Sequence, residues 1–236
     1  MTEPTYRTII DLTHTLDGRS PNWEGTAESP YHASELGSFE RDGYYSRIFT
    51  TQEHYGTHLD APAHFAAGAW TVEQIPTERL VRPLAIIDVR PAVKNNPDYE
   101  VTLQDIAQWE ERYGLVPSGA VVIAYTGWDS RWGSPEDFRN EQSDRLTHYP
   151  GFSLAAAQFL VRSRGVVGLG IDTMSVDIGA TTTYPVHHFT SKENVYHLEN
   201  VANLSLAPPA GATLVVAPIK LENGSGGPVR LLALVR

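Results

Sequence analysis

Gln52-Glu53-His54-Tyr55-Gly56-Thr57-His58-Leu59-Asp60-Ala61-Pro62-Ala63-His64-Phe65 is the stretch from which the rest of the chain is read. It gathers three of the chain's nine histidines with a carboxylate, a glycine and a proline, and the last two are poor occupants of a helix interior. In an extended segment alternate residues share a face, so His54, Gly56, His58, Asp60, Pro62 and His64 point one way. That face is too polar for a strand packed into a core. His58 and Asp60 then lie roughly 6–7 Å apart along the backbone, from a rise of about 3.3 Å per residue. His54 and His58 would be about 13 Å apart if fully stretched, so sharing one ion requires a bend. Gly56 is the residue that tolerates one.

Two imidazoles and one carboxylate suit Zn²⁺ or Mn²⁺, with Fe²⁺ possible. Three protein ligands leave coordination positions open, as catalytic sites do and structural sites do not. A cation held by His54, His58 and Asp60 would polarise a carbonyl and lower the pKa of a bound water from about 15.7 toward 7. His64, four residues past Asp60, is the expected proton shuttle, its ordinary pKa of about 6.5 suiting both acceptance and donation. A ligand role is its alternative.

The pattern His54-x-Gly56-Thr57-His58-x-Asp60-x-Pro62-x-His64-Phe65 resembles the signature of the putative cyclase family of metal-dependent hydrolases, which includes bacterial kynurenine formamidase and isatin hydrolase. The resemblance runs over nearly the whole chain. It implies an α/β fold formed by residues 1–236 as a single domain, with a mixed, β-barrel-like sheet and flanking helices of the swivelling β/β/α type. It further implies hydrolysis of a small aryl or cyclic amide, one or two divalent ions, and a homodimer or higher homo-oligomer. His187 and Glu199, the latter followed by Asn200 and Asn203, resemble the pair that completes a binuclear zinc centre in kynurenine formamidase; His188, one residue out of register, is the lesser alternative. Trp23 alone reads as a loop packing anchor, but it matches a tryptophan that lines the substrate pocket in the family and is the candidate for stacking on an aromatic substrate. Asp172 and Asp177 sit in an Asp-x-x-Ser-x-Asp segment that looks supporting rather than catalytic. A metal-dependent lyase or cyclase, using His64 to move a proton without net hydrolysis, and a non-catalytic metal-binding module are the rival readings.

Composition narrows the partners. The chain has 236 residues, a formal charge of −10 and a pI near 5.3, which disfavours nucleic acid and anionic membrane surfaces and leaves a small molecule as the expected ligand. Zero cysteines exclude disulfides, thiol catalysis and thiolate ligands. No apolar run approaches 18 residues, and Met1-Thr-Glu-Pro-Thr-Tyr-Arg7 lacks the basic start and apolar core of a signal peptide, so the cytoplasm is expected.

Short apolar runs predict strands at 7–12, 44–51, 84–89, 119–125, 166–171, 213–217 and 229–235. Thr102 and Asp105 predict a capped helix with Leu103, Ile106, Ala107 and Tyr113 on its apolar side, and Ser153 predicts another running to Arg164. A short helix follows Ser134. Trp128, just past a strand end, suits either the core or a pocket. Ser225 lacks the Gly-x-Ser-x-Gly spacing of a nucleophile elbow and reads as part of a turn.

Overall fold

In a computed structural model, which describes residues 6–25 and 28–236, the strands are β1 (Thr8–Asp11), β2 (His32–Gly37), β3 (Ser46–Thr50), β4 (His58–Asp60), β5 (Val81–Asp88), β6 (Glu100–Val101), β7 (Val121–Tyr125), β8 (Gly151–Phe152), β9 (Gly168–Ile171), β10 (Tyr196–Glu199), β11 (Thr213–Pro218) and β12 (Gly226–Val235). The helices are α1 (Phe39–Asp42), α2 (Arg90–Val93), α3 (Leu103–Tyr113), α4 (Pro135–Arg139), α5 (Leu154–Arg164) and α6 (Pro185–Lys192).

Eight strands join in the order β1-β12-β11-β5-β7-β9-β10-β4, and β4 also pairs with β12. The sheet therefore closes on itself, with β1 appended along β12. Strands β5, β7, β9 and β10 are parallel, and the remaining pairings of this sheet are antiparallel. Parallel strands need crossovers, and the helices supply them. Alternation along each strand divides the apolar residues into two cores. Leu84, Ile86, Ile123, Leu198, Leu214 and Leu231 fill the barrel, while Ala85, Ile87, Val122, Ala124, Leu169 and Ile171 pack outward under Ile106 and Trp109 of α3, Leu160 of α5 and Val186 of α6. The expected mixed, barrel-like α/β architecture with flanking helices is the one observed.

Local signals account for the helices. The Thr102 hydroxyl accepts from Asp105 N, and Asp105 accepts in return from Thr102 N; Ser153 caps α5 through Ala156 N. One detail differs from expectation: Leu103, Ala107 and Tyr113 are exposed, and Trp109, not they, turns inward with Ile106. Trp128 belongs to the core, its Nε1 donating to Phe138 O at 2.7 Å.

The sheet positions the polar residues by register. Leu59 and Leu198 face the barrel interior, so His58, Asp60, His197 and Glu199 face outward beneath α6. Antiparallel pairing of β4 with β10 sets His197 opposite Asp60 and Glu199 opposite His58. On the other flank of β4, Gly226 lies opposite Asp60, and a Cβ there would come within 2.6 Å of both His54 Cε1 and Leu59 O. The chain bends before β4 at Gly56, whose φ of +67° suits glycine and whose missing Cβ would otherwise lie 2.9 Å from Leu16 Cδ1. Gly56→Ala should accordingly cost about 1–2 kcal/mol, lowering Tm by roughly 2–8 °C; an unchanged melting curve would show that the bend does not depend on glycine.

Candidate metal centre

Four imidazoles and two carboxylates converge on the outer face of β4 and β10. His54, His58 and Asp60 present ligand atoms within 4.8 Å of one another, and Asp60, His187, His197 and Glu199 do the same. Asp60 belongs to both groups. Its Oδ1 lies 2.6 Å from His54 Nδ1 and 3.2 Å from His58 Nε2, whereas Oδ2 lies 3.3 Å from His187 Nε2. Glu199 spans the groups too, with Oε2 3.4 Å from His58 Nε2 and Oε1 3.3 Å from His187 Nε2.

Hydrogen-bond accounting identifies the tautomers. His58 Nδ1 lies 3.0 Å from Gly56 O, which can only accept, so Nδ1 carries the hydrogen of the neutral ring and Nε2 then turns a lone pair inward. His187 Nδ1 donates to Asp177 Oδ2 at 2.7 Å and likewise leaves Nε2 bare. The Ser225 hydroxyl donates to Glu53 Oε2 at 2.5 Å and therefore accepts from His54 Nε2 at 2.9 Å, which leaves His54 Nδ1 bare before Asp60. Lone pairs facing carboxylates repel unless protons or a cation lie between them. An outer nitrogen tied to a carboxylate, carbonyl or hydroxyl is also the usual support of a metal-binding imidazole.

The electrostatics agree. Burial disfavours a charged His58, yet Asp60 and Glu199 outweigh it and push the imidazole up to about 10. His187 is raised against the same burial by Asp177, Asp60 and Glu199. Asp60 is held well below the usual carboxylate range, because the surrounding imidazoles of His187, His197, His54 and His58 outweigh its desolvation. A site that draws positive charge this strongly fits a divalent cation, and its nitrogen and oxygen donors suit a borderline or hard one. Ligand atoms about 2.0–2.1 Å from one tetrahedral ion stand roughly 3.3–3.4 Å apart, close to the spacings around His187.

Elements far apart in sequence deliver these groups. Asp177 accepts from Val186 N and His187 N as well as from the His187 ring, so one carboxylate both caps α6 and aims its histidine. Asn200, immediately after Glu199, donates to Gly56 O at 2.8 Å, and Thr57 Oγ1 donates to Asn200 O at 2.7 Å, tying the bend to β10. Asp172 instead accepts from Thr126 and Trp128 and has no contact with the cluster that would make it a ligand.

The expected residues distribute as follows. His54, His58, Asp60, His187 and Glu199 meet in the cluster; His188 is exposed and stacks edge-on to Phe65 instead. His64 lies beside it, stacked on His54 at 3.9 Å, and burial pushes its imidazole down to about 4. Trp23 stands 46% exposed at the rim, 6.3 Å from Tyr184, its loop held by the Arg139 guanidinium, which donates to the Asn22 and Trp23 carbonyls. Together with Phe65 and Tyr184 it walls a cavity of ≈ 450 Å³ whose floor is the cluster. Two residues had escaped sequence reasoning. His197 shares a strand face with Glu199, a period-two signal hidden until Tyr196–Glu199 is recognised as a strand. Ser225 lies in the predicted turn, but its hydroxyl contacts Glu53 and His54.

Comparison with known proteins agrees with this geometry. The isatin hydrolase of Roseibium aggregatum is 34% identical over 191 residues, covering 78% of this chain and 72% of that protein. The kynurenine formamidase of Geobacillus thermodenitrificans is 28% identical over 222 residues, 94% of each. Isatin hydrolase A from Ralstonia solanacearum superposes with a TM-score of 0.91 at 34% identity, covering 97% of this chain and 92% of that one. Residues 10–178 match the family described as Putative cyclase, and the chain belongs to it.

Proposed function

We propose that this chain hydrolyses the C–N bond of a small aryl or cyclic amide other than a peptide, with zinc or manganese bound at the buried cluster. One observation carries the reading: bare imidazole nitrogens and carboxylate oxygens converge at the floor of a cavity walled by Trp23, Phe65 and Tyr184. Its relatives among isatin hydrolases and kynurenine formamidases act on amides of this class by name.

His54, His58 and Asp60 would hold one ion, and Asp60, His187 and Glu199 a second. Such cations supply a Lewis acid and a more acidic water. The protein does the rest. Trp23, Phe65 and Tyr184 offer rings against which a flat aryl group packs and excludes water. His64 faces the same cavity, and its depressed pKa keeps it neutral at ordinary pH. A neutral imidazole accepts a proton as water adds to the carbonyl and returns it to the leaving nitrogen as the C–N bond breaks.

Among the described residues the β2–β3 hairpin pairs with no other strand, yet Leu36, Phe39, Tyr44, Ile48 and Phe49 on or beside it are all at least half exposed. An isolated two-stranded ribbon with an apolar surface is marginal in water. This supports a homodimer or higher homo-oligomer with the hairpin at its interface.

Chelated protein should lose turnover of an aryl formamide and an isatin-type lactam, then recover it with zinc or manganese, giving a product heavier by one water. A product that has gained no water would favour lyase or cyclase chemistry, and full metal occupancy without turnover a binding module. In the same assay His64→Ala should lower kcat by about 10²–10⁴-fold with metal content unchanged; metal loss would make His64 a ligand. The sign of its shift also fixes the pH profile: the base stays unprotonated until pH falls to about 4, so the wild-type acid limb should lie there and not near 6.5. Light scattering should report a dimer or larger species that Ile48→Asp dissociates, and a wild-type monomer at high concentration would remove the oligomer proposal.

A further inference from the structure

The hydrogen-bond accounting that assigns three of the imidazoles can be completed for the fourth. Thr190 Oγ1 lies 2.7 Å from Val186 O, one helical turn back in α6, and a carbonyl only accepts, so the hydroxyl hydrogen is committed there. The same Oγ1 lies 2.6 Å from His197 Nε2 and can only accept from it. Nε2 therefore carries the ring hydrogen, and Nδ1 presents a lone pair. That nitrogen has no hydrogen-bond partner, in a residue 1% exposed, and lies 3.6 Å from Asp60 Oδ2. A bare nitrogen aimed at a carboxylate oxygen in a dry interior is unfavourable unless a cation accepts both.

We propose that His197 is a fourth protein ligand of the second cation, so that the two ions do different work. Resting on the two-ion reading above, this gives the second ion Asp60 Oδ2, His187 Nε2, Glu199 Oε1 and His197 Nδ1, two nitrogens and two oxygens, which is the full shell of a structural site. The first ion, with His54, His58 and Asp60 Oδ1, keeps its open positions. His54, His58, His187 and Glu199 all line the cavity, whereas His197 does not and closes the second site from behind, on the sheet side. His187 and His197 meet edge to face at 4.5 Å, so neither ring can turn away without displacing the other. The second ion thus anchors β4, β10 and α6 together and fixes Asp60, and the substrate meets the first.

The test is metal content and chelator competition on the purified full chain, with His197→Gln and Thr190→Val compared with wild type. His197→Gln removes the ring nitrogen, and Thr190→Val removes only the hydroxyl that sets the tautomer and nearly preserves shape. Wild type should hold two ions; each variant should keep its circular dichroism spectrum, retain the first ion and bind the second more weakly, by about 10–100-fold for Thr190→Val. With cobalt alone as the probe, wild type should show the intense visible bands of a four-coordinate ion, weakened in both variants. Two ions held at wild-type affinity in both variants would overturn the role of His197. Concerted loss of both ions from folded variants would overturn the division of labour. A wild-type chain that takes up only one ion would instead overturn the two-ion reading on which the proposal rests.

Discussion

The carboxylate of Asp60 is the constraint on which the rest of the structure depends. It is buried in a three-residue strand and faces four imidazoles, with its two oxygens turned toward different ones. Moving an isolated carboxylate out of water costs several kcal/mol even after relaxation, and Glu199 is buried beside it. Only opposite charge in the same space offsets that, so cation binding and the packing of β4, β10 and α6 are parts of one free energy. The surrounding sequence serves this arrangement. Gly226 makes room for the His54 ring, Gly56 turns the chain toward it, and Asp177, Ser225, Thr190 and the Gly56 carbonyl each hold the far nitrogen of one imidazole.

That architecture also explains how a barrel with a filled interior bears a site on its outside. The alternation that sends Leu59 and Leu198 into the core sends His58, Asp60, His197 and Glu199 outward. The outer face would be wet if α6 did not cover it, and the helix that covers it contributes His187. What remains open is the side toward Trp23, Phe65 and Tyr184, where an aromatic substrate can reach the cluster.

Much of this was legible in the chain because much of it is local. The motif from His54 to His64 carries its own periodicity and its own bend, and the caps at Thr102 and Ser153 announce their helices within four residues. The central strands read as apolar runs because parallel strands buried on both faces need no alternation. Legibility fails where register or tertiary packing decides. Strand β2, His-Ala-Ser-Glu-Leu-Gly, has no hydrophobic pattern because its surface is not packed into either core. Helix α6 begins with proline at its first position, a usable signal, but its histidines, threonine and serine suggest a loop until Asp177 is seen capping it. Strand β10 is four residues between asparagines of positive φ, too short to reveal that His197 and Glu199 share a face. Asp60 and His187 meet across 127 residues of sequence, and only the packing of α6 over β4 and β10 brings them together.

The most direct test of the account is the metal content of Asp60→Asn, a change that keeps the side chain's shape and removes its charge. If one carboxylate serves both halves of the cluster, the variant should fold, retain its circular dichroism spectrum, and lose both ions under conditions in which wild type keeps two. An Asp60→Asn protein that still holds its full complement of metal at wild-type affinity would contradict the account.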